Sequence, residues 1–178
     1  MTKILLISED FVKTNSGLND NVFGSYLTPA IREAQDIKLQ PILGTSLYKS
    51  ILEKVENGAI KNAYYKPYKT LLDDYIQVYL MYQIISDLVP IIGVKLTNLG
   101  VVISNDEHLT NLSQTERELV QTYYEQRAEF YGKRLQEFLK DNKQDYEELN
   151  VCDDLHPTLD SVAETGLWLG GIRGKKIN

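Results

Sequence analysis

The sequence predicts a mainly α-helical fold, a bundle of about four to five helices with a short β-type segment near residues 99–104 and extended arms at both ends. Two long segments carry apolar residues at helical spacing, and prolines and glycines divide the rest of the body into shorter pieces. Tyrosine is common, with twelve against four Phe and one Trp, which favours surfaces that combine apolar area with hydroxyl groups. The chain has 178 residues, of which 43% are hydrophobic, so it can bury a core of its own.

The first elements are a polar segment and a pair of short helices. Residues 1–25 predict an N-terminal arm and linker, because a short extended piece leads into a stretch rich in turn-forming residues. A first helix is predicted to begin with Thr28 as its N-cap and Pro29 at its first position, and to end at about Gln40-Pro41, where Pro41 and then Gly44 break the chain. A second helix is predicted over residues 47–56, so that the two form a helical hairpin.

The middle of the chain predicts a long helix over residues 68–88. Further apolar residues widen its main face, so it is expected to be central and buried on most sides. Pro90 ends or kinks this helix, residues 91–98 could resume as a helix, and the β-type run follows. The main face repeats at spacings of three and four residues: Leu71, Tyr75, Val78, Tyr82, Ile85 and Val89.

The strongest local signal in the sequence begins at Ser113. Ser113 and Glu116 have the spacing of a capping box, and apolar residues then recur at helical spacing from Val120 to Phe138. Charged residues lie between them and are predicted to face water. The pattern therefore predicts a helix over residues 113–140, about 42 Å long at a rise of 1.5 Å per residue.

The composition changes after the last helix, which divides the chain into the N-terminal arm, a helical domain over residues 26–143, and a tail over residues 144–178. Seven acidic residues and no basic ones lie between 144 and 164. The last thirteen residues hold four glycines, the only tryptophan and three basic residues, without helical periodicity. Because such a stretch cannot form a core alone, we predict an acidic linker followed by a glycine-rich arm that orders against a partner.

Charge, cysteine content and hydropathy exclude several classes of protein. The chain has 19 basic and 25 acidic residues, a formal net charge of −6, whereas a general nucleic-acid binder needs a basic surface. Its single cysteine excludes a disulfide scaffold, and no apolar run has the length of a membrane helix. A soluble protein in a reducing cytoplasm is therefore expected.

No set of residues predicts catalysis, a cofactor or a metal, so the chain is not expected to be an enzyme. The two histidines lack the spacing of a zinc pair, and the glycines and lysines near the C-terminus do not form a phosphate-binding loop. Three tyrosines, Tyr64, Tyr65 and Tyr68, lie close together beside lysines and predict either a loop that contacts a partner or a packed turn.

The order of these elements is similar to a known family. The run LTPAIREAQDIKLQPILG over residues 27–44, a second short helix, and two long helices around a central loop together resemble head–tail connector proteins of tailed bacteriophages. The same run, with TNLGVV at residues 97–102, is similar to uncharacterised structural proteins of phages and prophages of gut Bacteroidetes, including the crAss-like group. The likeness covers roughly residues 19–140, so the acidic linker and the C-terminal arm lie outside it.

The resemblance implies a virion protein that assembles in the host cytoplasm and acts at the head–tail interface. It would form a homo-oligomeric ring, commonly twelve-fold, that extends the DNA channel without binding DNA specifically. Its partners would be the portal protein above and a tail or second ring protein below. The expected docking arm is the C-terminal one: Leu167, Trp168, Leu169, Arg173, Lys175 and Lys176. The alternative is a soluble helical adaptor or regulatory module that binds a protein partner as a monomer or dimer.

Overall fold

The predicted mainly α-helical class with one short β segment is confirmed. The predicted C-terminal arm lies outside the described residues from residue 160 onward, and Leu167, Trp168, Leu169, Arg173, Lys175 and Lys176 lie outside them with it. The structure is a computed structural model that describes residues 4–16, 24–92, 94–97, 100–103, 113–151 and 154–159.

Three helices form the first half of the body. Helix α1 is Glu9–Ser16, and α3 is Thr45–Glu56. Helix α2 is formed by Gly24–Glu33, a π-helical turn at Ala34–Leu39 and a last turn at Gln40–Leu43. It thus begins before the predicted cap at Thr28 and encloses Pro29, because the Thr28 hydroxyl donates a hydrogen bond to Glu9 of α1 instead of capping its own helix.

The second half holds two long helices and a hairpin. Helix α4 runs through Lys66–Thr70, a π-helical turn at Leu71–Ile76, and Gln77–Leu88. Strand β1, Val94–Thr97, then pairs antiparallel with β2, Gly100–Ile103. The expectation that residues 91–98 resume as a helix was therefore wrong, because ladder pairing of Val94 with Ile103 and Thr97 with Gly100 satisfies this backbone instead.

Helix α5, Gln114–Asp141, has the capping box that the sequence predicts. The Ser113 hydroxyl accepts a hydrogen bond from the Glu116 amide at 3.3 Å, and the Ser113 amide donates one to the Glu116 carboxylate at 2.8 Å. The helix packs along α4, where Gly132 allows the Tyr79 ring to approach within 3.1 Å of the position that a Cβ would occupy. As predicted, α4 is the central helix, since Leu71, Ile76, Leu80 and Ile84 are fully buried.

Residues 4–16 of the predicted N-terminal arm are part of this body. Leu6, Ile7 and Val12 are buried in the core. The Gln35 side chain, in the π-helical turn of α2, accepts a hydrogen bond from the Leu6 amide at 2.7 Å and donates one to the Ile4 carbonyl at 3.2 Å. The Gln77 side chain donates to the Leu6 carbonyl at 3.0 Å. Two side-chain amides thus satisfy a backbone that has no strand beside it.

The beginning of the predicted acidic linker also packs on the body. Two 3₁₀ turns, Lys143–Asp145 and Glu147–Asn150, follow α5 and bury Tyr146 and Leu149. Further on, residues 155–158 lie against the junction of α2 and α3, where the Thr45 amide donates to the Leu155 carbonyl at 3.1 Å. The linker is therefore fixed to the helices over most of the range that the structure describes.

Gly44, at the junction of α2 and α3, has a backbone conformation that favours glycine. Its φ of 75° and ψ of 157° are essentially restricted to residues without a Cβ. A Cβ built at this position would lie 2.8 Å from Pro157 Cδ and 2.9 Å from its nitrogen. Glycine is thus required here both for the turn and for the close approach of the linker.

Candidate interaction surfaces

A chain of aromatic rings connects the predicted contact tyrosines to the core. The Tyr64 and Tyr65 ring centroids are 5.1 Å apart, and those of Tyr65 and Tyr68 are 5.9 Å apart, both edge to face. Tyr68 meets the fully buried Tyr146 at 5.3 Å, and the Tyr146 hydroxyl donates a 3.0 Å hydrogen bond to the carbonyl of Pro67. The turns after α5 therefore fix the orientation of the tyrosine segment through direct ring contacts.

A groove of about 620 Å³ lies between this tyrosine segment and the 3₁₀ turns. Tyr64 is 83% exposed at its edge, while Tyr65 and Tyr68 are half-buried. We call this space between the tyrosine segment and the 3₁₀ turns the tyrosine groove. It is lined by Tyr64, Tyr65, Pro67, Tyr68, Gln144, Asp145, Glu147, Glu148 and Val151.

One wall of the tyrosine groove is a polar cluster around Glu148. The Tyr68 hydroxyl donates to both Glu148 carboxylate oxygens, at 2.9 and 2.8 Å. The Ser50 hydroxyl donates to the same carboxylate, and Lys54 Nζ lies 3.6 Å from its Oε1 and 4.3 Å from the Tyr68 ring centroid. Helix α3 therefore supplies a cation that is shared between a carboxylate and an aromatic face.

The ionisation of the cluster follows from these contacts. Burial opposes ionisation of Glu148, but the hydrogen bonds from Ser50 and Tyr68 and the charge of Lys54 outweigh it and hold its pKa below the usual range. Burial, together with the neighbouring Glu148, raises the pKa of the Tyr68 hydroxyl well above its usual range. At neutral pH the Glu148 carboxylate is thus ionised and Tyr68 remains a hydrogen-bond donor.

The net charge of the tyrosine groove comes from its rim. Lys54 compensates Glu148 from behind, whereas Asp145 and Glu147 are exposed. Among the residues that the structure describes, no lysine or arginine lines the groove. Carboxylates beside tyrosine faces attract cationic and aromatic groups, so the groove suits a basic segment with an aromatic side chain.

A second surface lies on α5, on the side that faces away from α4. Leu119, Tyr123 and Phe130 are 66%, 50% and 61% exposed. At 3.6 residues per turn they lie within about 40° of one another around the helix, and about 120–180° from the buried Leu135 and Leu139. This outer stripe of Leu119, Tyr123 and Phe130 is therefore an apolar surface on the side of α5 that the charged residues predict to be polar and exposed to solvent.

The outer stripe is held in place by the aromatic residues of the inner side. The Tyr123 ring meets that of Tyr124 edge to face at 5.2 Å, and Phe130 meets Tyr131 in the same way at 5.2 Å. Tyr131 in turn stacks on Tyr82 of α4 at 5.1 Å. The exposed rings thus have defined positions before any partner binds, which lowers the entropy lost on association.

A third surface lies where α2, α4 and α5 meet. Its cavity of about 360 Å³ is lined by Ile37, Pro90, Ile91 and Gln121, among others. Ile37 and Ile91 are exposed, as is the neighbouring Ile92. Gln121 lies about 160° around α5 from Leu119, so this isoleucine patch, Ile37, Ile91 and Ile92, and the outer stripe face different directions.

The structure tests the predicted site residues unevenly. It brings Tyr64, Tyr65 and Tyr68 together at one groove; the segment begins with a 3₁₀ turn at Ala63–Tyr65 and continues as α4. Sequence reasoning missed Glu148, which reaches Tyr68 only through the fold. It also missed the outer stripe, although the spacings of four and seven residues from Leu119 to Tyr123 and Phe130 carry a helical signal.

Two further properties concern only the described parts of the chain. Within these ranges no helix has the length and hydropathy to cross a membrane. The same residues contain no cluster of three or more His, Cys, Asp or Glu side chains that could hold a metal ion.

Comparison with known proteins gives one result. No curated protein and no solved structure matches the chain. A family model matches residues 39–158, more than half of the 178 residues, and the match includes α3, α4, α5 and the tyrosine groove. The chain therefore belongs to DUF6712, a family of unknown function.

Proposed function

We propose that this chain is a structural, non-enzymatic subunit that assembles with copies of itself into a ring. The observation that supports this best is the pair of exposed apolar surfaces on one body, the outer stripe on α5 and the isoleucine patch. The stripe lies on α5, whereas the patch combines Ile37 of α2 with Ile91 and Ile92 in the turn that follows α4. Exposed apolar surface of this kind is typical of protein–protein interfaces.

The arrangement of the two surfaces favours a ring over a two-fold dimer. A two-fold interface joins the same surface of both copies, whereas two different surfaces facing apart join head to tail and close when the rotation permits. The outer stripe of one copy would then cover the isoleucine patch of the next. Ile37 and Ile91 would receive Leu119 and Phe130, which removes apolar area from water on both sides.

The place of this ring comes from the sequence resemblance. We propose that it lies beneath the portal of a tailed phage, connects head to tail and extends the DNA channel. Its partners would be the portal protein and a tail or second ring protein, with the C-terminal arm as a docking element. A formal net charge of −6 supports this, because an acidic channel wall does not retain passing DNA.

A second candidate function is a soluble adaptor that binds a protein partner as a monomer or dimer. The tyrosine groove favours it, because a preformed groove with aromatic walls and an acidic rim can accept a peptide without a ring. The two functions differ in assembly state, which makes them separable by experiment.

The assembly state tests the proposal. Sedimentation velocity and negative-stain imaging measure it for the protein alone at rising concentration, and for the protein mixed with the portal protein of the same genome. Rings in either condition support the proposal. Monomers or dimers in both conditions contradict it and favour the adaptor.

Substitutions on the outer stripe then test whether this surface forms the ring interface. Leu119→Asp with Phe130→Asp is expected to abolish rings while the far-ultraviolet circular dichroism stays unchanged, because both side chains are exposed. Asp10→Lys, exposed on α1 and part of neither apolar surface, is the control and should assemble normally.

A further inference from the structure

We infer that the tyrosine groove of one copy holds the C-terminal segment, residues 161–178, of a neighbouring copy. This rests on the proposed self-assembly and adds a second contact to it. The inference joins two features of the chain, a groove without a basic residue in its described lining and a basic segment at residues 161–178.

The chemistry of the two parts is complementary. The groove offers three tyrosine side chains and the rim carboxylates of Asp145 and Glu147. The segment holds one tryptophan, Trp168, and three cations against a single acidic residue. A cationic side chain over a tyrosine face, paired with a carboxylate, is the arrangement that Lys54 already makes with Tyr68 and Glu148 inside the wall.

The direction of the chain favours a neighbour's groove over its own. Glu148 contacts Ser50 in the middle of α3, Leu155 contacts Thr45 at its first residue, and the Thr158 amide donates to the Pro41 carbonyl before it. The described chain thus moves steadily away from its own groove. A segment returning to that groove would have to reverse, whereas one that continues outward meets the next copy.

The length of the remaining chain is sufficient. Nineteen residues follow Leu159, and at 3.3–3.6 Å per residue they span at most about 60–70 Å when extended. A compact body of this size is roughly 40 Å across. Glycines on both sides of Trp168, Gly166 and Gly170, let the backbone lie close to a groove wall.

Trp168 provides the measurement, because it is the only tryptophan in the chain. In the assembled protein its fluorescence is expected to be blue-shifted and protected from acrylamide. Dilution below the assembly concentration should move its emission to that of a solvent-exposed indole.

Asp145→Lys with Glu147→Lys should raise the protein concentration at which Trp168 becomes buried about tenfold, because two attractive contacts become repulsive. Asp10→Lys with Glu56→Lys, equal in charge and exposed, but part of neither the groove lining nor the two apolar surfaces, is the control.

A mixing experiment assigns the groove to the neighbour. One full-length chain carries Asp145→Lys and Glu147→Lys and keeps Trp168. The other keeps the groove and carries alanine at Trp168, Arg173, Lys175 and Lys176, so that it does not fluoresce from tryptophan. Mixing the two is expected to restore the blue shift of Trp168, because its segment enters the intact groove of the second chain.

Three results would overturn the inference. In the first, Trp168 is exposed in the assembled oligomer. In the second, it is equally buried in the groove variant and in the control variant. In the third, its burial does not depend on concentration or on mixing, which would mean that Trp168 packs within its own chain. The proposed function is judged separately by sedimentation. An oligomer with an exposed Trp168 rejects only the inference, whereas a chain that never assembles rejects the ring.

Discussion

The two sides of α5 carry the same kinds of residue in opposite surroundings. On the inner side Tyr131 stacks on Tyr82 of α4, and Leu135 is fully buried. On the outer side Tyr123 and Phe130 contact the rings of Tyr124 and Tyr131 on their own helix and are 50% and 61% exposed. Burial on the inner side stabilises the protomer, while the same apolar area on the outer side remains available for an interface. The difference shows that one helix serves both folding and association, and that the two roles should separate on substitution.

The largest expected effect is on the inner side. Leu135→Ala removes a fully buried side chain between α4 and α5 and should lower the free energy of unfolding by about 3 kcal/mol. Urea denaturation followed by circular dichroism measures this change. Leu119→Ala, the same substitution on the outer side, should stay within about 0.5 kcal/mol. Equal losses for the two variants would contradict the separation of roles.

The polar cluster of the tyrosine groove should give a smaller, pH-dependent effect. Glu148→Ala removes a carboxylate that accepts from Tyr68 and Ser50 and faces Lys54, and should cost about 2 kcal/mol at neutral pH.

The sign of the pH dependence follows from the lowered pKa of Glu148. The stabilisation is complete above the unfolded-state pKa and is lost as the pH falls through the lower folded-state value. The stability difference between the wild type and Glu148→Ala should therefore shrink in acid, which urea titrations at a series of pH values measure. A difference that is constant with pH would show that packing, not charge, carries the effect.

A single hydroxyl should distinguish buried tyrosine from exposed tyrosine. Tyr146→Phe removes the part-buried hydrogen bond to the Pro67 carbonyl, so we expect a loss of about 1 kcal/mol. Tyr123→Phe, on the exposed outer stripe, should leave thermal unfolding unchanged. A loss of stability of similar size in Tyr123→Phe would show that the Tyr123 hydroxyl already contributes to the stability of the protomer.

The smallest expected effect on the protomer is at Phe130. Phe130→Ala should change the free energy of unfolding by less than about 0.5 kcal/mol, because the ring is mostly exposed. The same variant should weaken assembly in sedimentation experiments. A strong loss of stability would mean that the Phe130 ring supports α5 rather than an interface.

The regular parts of the fold could be predicted because their signals are local. The periodicity of α4 and α5 and the capping box at Ser113 are read from neighbouring residues. The start of α2 could not, because Thr28 bonds to Glu9, nineteen positions earlier. Strand β2 lies within the predicted β-type run, but the helix expected over residues 91–98 was wrong, because the backbone of β1 is satisfied by pairing rather than by a propensity within one segment.

The candidate surfaces could likewise be predicted only in part, because local patterns do not show contacts between distant positions. The tyrosines at 64, 65 and 68 are predicted as a contact loop or a packed turn. Tyr68 packs on Tyr146 and Tyr64 is exposed, and contact with a partner stays a prediction. Glu148 lies 80 positions from Tyr68, so no local pattern places it in the groove. The outer stripe lies among charged neighbours on α5, which made an apolar surface resemble a solvated one.

The capture of residues 4–7 by Gln35 and Gln77 also orders the events of folding. Neither amide is in position until α2 and α4 have formed and met, and Gln77 lies 71 positions after the Leu6 carbonyl that it binds. Residues 4–6 are synthesised before the residues that hold them, so they must wait for the middle of the chain before they can dock. This segment is thus made before its binding residues and placed late, which makes its docking a natural reporter of the completed subunit.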